Sequence, residues 1–153
     1  MHLGTSMYTL GSVLWLLVYE VLDETPAANM HRVWVDIVKH YKEDNVSNQY
    51  SNLGLGSFCN PDNPKEGYPK LKGRRAEVAH LVEPLCKTWG SFKRAGNECD
   101  QKVHQLLKVQ IQIQAKHFLS FWTFFGEGFS SLLYKIDLSI WISLPGHFAQ
   151  SFW

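Results

Sequence analysis

The chain has 153 residues, a 45% hydrophobic and 19% charged composition, and a formal net charge of +1. These values describe one globular domain and exclude a disordered chain. They also exclude recognition of nucleic acid or acidic lipid by global charge, so any such recognition must be local. Three cysteines, Cys59, Cys86 and Cys99, are an odd number at irregular spacing. That is not a disulfide framework, and it points to a reducing, intracellular setting, nucleus or cytoplasm.

The opening residues contain the apolar run Val13-Leu14-Trp15-Leu16-Leu17-Val18-Tyr19. A signal peptide requires a positive n-region, and no Lys or Arg precedes this run. It is shorter than the roughly 20 apolar residues of a membrane span. The reading that remains is a buried helix over 8–22, apolar nearly all round. A second helix follows over 26–42, with Thr25 as N-cap and Pro26 at its first position. Met30, Val33, Trp34, Ile37, Val38 and Tyr41 repeat at helical spacing, and Asp36, Lys39, His40, Lys42 and Glu43 take the solvent side. The two helices form a hairpin joined at Asp23-Glu24-Thr25.

From 44 to 68 the period fails, and Asn, Ser, Gly and Pro mark a long loop with a short extended piece over 53–59. A loop of this length is either functional or the sign of an incomplete domain. A third helix is predicted from Lys72 or Gly73, with Val78, Leu81, Val82, Leu85 and Trp89 on its apolar face. Pro84 predicts a kink or break within it. A fourth helix starts after Asn97. Its alternating Val109-Gln110-Ile111-Gln112-Ile113-Gln114 carries a strand pattern, but good helix formers flank it and helix is expected.

The fold class is therefore mainly α, with about four to six helices around a long central loop. Residues 1–114 form the helical region, and 115–153 form an aromatic-rich tail with only Glu127, Lys135 and Asp137 charged. The abrupt change near Ala115 suggests a shifted frame or translated intron. The tail's Trp and Phe also suit a membrane interface, although no cationic face accompanies them.

The stretch KEGYPKLKGRRAEV gathers Lys65, Tyr68, Lys70, Lys72, Arg74 and Arg75. Lys and Arg neutralise phosphates, and an aromatic among them suits stacking on single-stranded bases. The plain alternative is a solvated loop followed by a basic first helical turn. Such a turn works slightly against the helix dipole, a small point for a ligand beside the commoner reading of a solvated surface. His80, Cys86, Cys99, His104 and His117 do not have zinc-site spacing. Glu77-x-x-His80 is half of a di-iron pattern whose second copy is missing, and Leu53-Gly54-Leu55-Gly56 fails as a nucleotide fingerprint. No cofactor is expected.

The opening MHLGTSMYTLGSVL resembles the region around the second catalytic aspartate of DDE-type transposases of the CACTA and Plavaka kind. Met1 and His2 match the end of that family's Asp-x-Met-His pattern. NLGLGSFCNPDNPKEGYPKLKGRRAEVAHLV resembles repetitive, mobile-element-derived reading frames of dinoflagellate genomes. The resemblance covers about 1–114 and implies a helical piece of a larger nuclease-like domain. It implies no catalysis, because the aspartate would precede Met1 and no downstream glutamate matches. Three functions stay open: a non-catalytic transposase-like fragment with residual nucleic-acid binding, a membrane-associated protein, and a small helical interaction module.

Overall fold

The computed structural model describes residues 3–123. By compactness the chain falls into two units, Met1–Gln114 and Ala115–Trp153, and every contact below lies within the first. The described residues form four α-helices and no strand: α1 (Leu3–Leu16), α2 (Pro26–Glu43), α3 (Arg75–Phe92) and α4 (Glu98–Thr123). The protein is mainly α.

α1 starts earlier than its periodicity predicts and continues into a π-helical turn, Leu17–Val21. It is not buried all round. Leu10, Val13, Leu14, Leu17, Val18 and Val21 face the core, while Tyr8 on the other side is 46% exposed. The apolar residues recur at three and four, so one face alone is covered. The wide turn leaves carbonyls without helical partners. One buried amide meets them: Asn29 Nδ2 donates to the carbonyls of Val18 (2.9 Å), Leu22 (3.1 Å) and Glu24 (3.0 Å). Asn29 thereby locks the α1–α2 corner.

α2 begins as expected. Thr25 Oγ1 accepts the Ala28 N–H at 3.4 Å, and Pro26 occupies the first turn. Met30, Val33, Ile37 and Tyr41 are buried. His40 departs from its expected solvent position: it is only 9% exposed. Its ring lies between two carboxylates of its own helix, Asp36 Oδ2 at 3.3 Å from Nε2 and Glu43 Oε2 at 2.8 Å from Nδ1. Asp44, just past α2, pairs with Lys87 Nζ of α3 at 2.6 Å.

α3 begins at Arg75, later than predicted, because Arg74 before it is still extended. Pro84 neither ends nor divides the helix. An interior proline removes one backbone bond. Here Val78, Leu81, Val82, Leu85 and Trp89 are all buried around it, and tertiary packing overrides local propensity.

The α3–α4 joint is built on Asp100. Asn97 caps α4, its Oδ1 accepting the Asp100 N–H at 3.1 Å. Arg94 donates to Asp100 Oδ2 from its backbone (2.8 Å) and from Nε (2.9 Å), and to Oδ1 from Nη2 (2.8 Å). Trp89 Nε1 donates to the Asp100 carbonyl at 2.8 Å. The Arg94 hydrogen bond is the main reason that the Asp100 carboxyl sits below its ordinary value of 3.8. A depressed carboxyl stabilises the fold above the unfolded value and loses that contribution as pH falls through the folded one. Below pH 3.8 the wild type should therefore lose stability more steeply than Asp100→Asn, which should already be weaker at neutral pH. Urea midpoints across that acid range test this; parallel curves would contradict it.

In α4, Leu107 is fully buried, and Val103 and Ile111 pack half-buried against the core. The alternating 109–114 run is helical. Gln110 Nε2 donates to Ser6 Oγ of α1 at 2.6 Å, which ties α1 to α4. The helix passes through Ala115, where composition changes. Residues 124–153, with most of the aromatic tail, lie outside the described residues, as do Met1 and His2.

Candidate nucleic-acid interface

The long loop has its own core. Leu53, Phe58 and Leu71 are 3%, 2% and 0% exposed. The extended piece predicted over 53–59 is instead a 3₁₀ turn, Leu55–Ser57. The Gly54 N–H donates to Ser57 Oγ at 3.1 Å, closing the chain on itself. The basic stretch then runs back across it. Lys70 N–H donates to the Phe58 carbonyl and Lys72 N–H to the Ser57 carbonyl, both at 2.8 Å. Between them, Leu71 N–H donates to the Met7 carbonyl of α1 at 2.9 Å.

The loop sits directly on α1 because position 11 has no side chain. A Cβ on Gly11 would lie 2.8 Å from Leu71 N and 3.0 Å from Lys70 Cα. Further along, Trp15 Nε1 donates to the Pro64 carbonyl at 3.0 Å, and Tyr19 OH meets Cys59 Sγ at 3.8 Å. At the entry to α3, Gly73 lies so close to the Tyr50 ring that any Cβ there would overlap it. Burial, with the Glu77 carboxylate adding to it, pushes the Tyr41 phenol up to about 12 and raises Tyr50 as well. Both phenols therefore stay neutral.

Extended backbone sends alternate side chains to opposite sides. Leu71 goes into the core, and Lys70 and Lys72 go out to solvent. Lys70 Nζ stands 5.3 Å above the Tyr8 ring, a cation–π contact. Lys72 Nζ donates to the Gly56 carbonyl at 3.0 Å. Arg74 is the N-cap of α3 and is extended, and Arg75 is the first helical residue. Both are exposed. Glu77 Oε2 accepts the Arg74 N–H at 2.7 Å. That acidic first-turn residue meets the dipole that the arginines oppose. Lys65 and Tyr68 flank Gly67, whose φ of 75° turns the chain. Tyr68 is 90% exposed, the most exposed large hydrophobic residue described.

Lys70 and Lys72 thus lie on the solvent side of a docked segment that leads directly to Arg74 and Arg75. Lys65 and Tyr68 stand at the turn just before it. Sequence reasoning missed Tyr8, which it placed inside a buried helix. Its position off the Leu10–Leu14–Leu17 stripe was the available signal.

Among the described residues, no group of three or more His, Cys, Asp or Glu is placed to hold a metal ion. Cys59, Cys86 and Cys99 are free thiols. No helix among the described residues is long and apolar enough to cross a membrane. The chain matches no known family model, no curated protein and no solved structure.

Proposed function

We propose that this protein is a non-catalytic, mainly helical module of transposase-like descent that binds single-stranded nucleic acid through Lys65, Tyr68, Lys70, Lys72, Arg74 and Arg75. The observation that carries the reading is Tyr68, an aromatic ring 90% exposed and two residues before Lys70, on a loop anchored to α1. A ring this fully exposed still holds the burial free energy that a partner could recover. A nucleobase is a partner that the neighbouring cations also suit, since they meet the phosphates while the ring meets the base. Anchoring fixes the loop before binding, so little ordering entropy is lost on contact. The non-catalytic part of the reading rests on the resemblance, in which no glutamate of this sequence matches. An intracellular location, nucleus or cytoplasm, accords with the free thiols.

Tyr68→Ala should weaken binding of a fluorescent single-stranded oligonucleotide about tenfold, the loss of one stacked base. Its far-UV circular dichroism should be unchanged, because the ring supports nothing in the fold. Equal anisotropy titrations for wild type and variant would overturn the reading.

A further inference from the structure

A second face of the molecule carries a separate group of cations. Residues of α3 and α4 line an open groove of about 500 Å³. Its walls include Glu83, Cys86, Lys87, Gly90, His104 and Lys108. Lys87 is already neutralised by Asp44 at 2.6 Å and Glu83 at 3.9 Å. Lys108, and Lys93 at the end of α3, have no carboxylate within ion-pair distance among the described residues.

The hydrogen bonding of His104 fixes what it presents. Lys93 Nζ lies 3.2 Å from His104 Nδ1. An ammonium has donors only, so Nδ1 must accept and the ring proton sits on Nε2. That Nε2 is on the Gly90 side: a Cβ at position 90 would come within 3.6 Å of it. The groove therefore offers an N–H donor and the Lys108 ammonium, with the Lys93 charge behind the ring.

We propose that this groove is a binding site for a phosphate-sized oxyanion, held by His104 Nε2–H and Lys108 and oriented by Lys93. It is distinct from the basic loop and does not depend on the reading of that loop. Burial first, and then the Lys108 and Lys93 charges, hold the His104 imidazole below its ordinary value of 6.5. An anion in the groove would offset those charges and raise it. The carbonyl end of α3 works against an anion, and Lys93, placed at that end, counters it. Phosphate as a free ion or monoester and the phosphodiester of a nucleic acid share this chemistry.

The test is NMR of the His104 ring in the full chain, titrated with inorganic phosphate at ionic strength held constant with sodium chloride. The ring signals should shift saturably and the His104 titration midpoint should rise. Lys108→Gln should weaken the apparent affinity about tenfold, one charge-assisted contact, and Lys93→Gln should free the Nδ1 lone pair and weaken it too. Displacement of phosphate by a short oligonucleotide would assign the groove to a phosphodiester. Retention would assign it to free phosphate or a monoester. A shift that matched sodium chloride reproduces, or affinity unchanged in Lys108→Gln, would overturn the proposal.

Discussion

Gly11→Val is expected to lift the basic loop off α1. In an ordinary helix this substitution is mildly favourable, because valine has the better helix propensity by a few tenths of a kcal/mol. Here the new Cβ would sit 2.8 Å from Leu71 N and 3.0 Å from Lys70 N and Cα. Those are backbone atoms and cannot rotate away. The strand must retreat, and the Leu71 to Met7 hydrogen bond at 2.9 Å then breaks. Leu71, fully buried, loses its place with it. Overpacking of this kind costs about 1–3 kcal/mol, and the lost contacts add to it. Urea denaturation should show the loss, and proteolysis should open within 44–74 before the helices unfold. Gly4→Val is the control, since a Cβ on Gly4 meets nothing within 4 Å and should leave stability level or slightly raised. Equal stability and equal protease resistance for both variants would mean that the loop does not depend on Gly11.

Replacing Lys70, Lys72, Arg74 and Arg75 together with Ala should have the largest effect on binding. It turns a chain of formal charge +1 into an acidic one. Each phosphate contact to a single strand contributes about 0.7 to the slope of log affinity against log salt. The slope should fall by about that amount for every contact removed, and affinity at low salt should drop on the order of 100-fold. The four positions are not equivalent. Lys70 is held over Tyr8 and Lys72 on the Gly56 carbonyl, so their charges are fixed in place and not free to sweep. Ala at Lys39, Lys42 and Lys102 removes cations elsewhere and should change the slope little. Equal salt dependence for the two sets would show that binding follows total charge and not the loop.

Several features of the fold were open to a reader of the sequence because they are local. Thr25-Pro26 and Asn97 mark helix starts through bonds made within one turn, and both caps form. The apolar stripes of α2 and α3 likewise state their own period. The misreadings have a common cause in contacts between distant residues. Pro84 does not break its helix, the second of its two expected outcomes, because its neighbours are buried. His40 is drawn inside with two carboxylates of its own helix, a compensation that a polarity pattern does not register. The basic residues were visible as a cluster in the chain. That Leu71 anchors them and that Gly11 receives them depends on a pairing across 60 positions, which no local pattern encodes. Loop length left open a functional loop or an incomplete unit; that Leu53, Phe58 and Leu71 give this loop an interior was not visible in its turn-rich composition.

The docked loop is proposed to bind single-stranded nucleic acid by stacking and phosphate contact. The most direct measurement is fluorescence anisotropy of wild-type protein with a single-stranded oligonucleotide and with the same sequence as a duplex, each across a range of salt. Stacking on Tyr68 requires unpaired bases. The account predicts tighter binding to the single strand at every salt concentration, with affinity falling linearly in log salt. Equal affinity for the two forms, or no saturable binding at low salt, would contradict it.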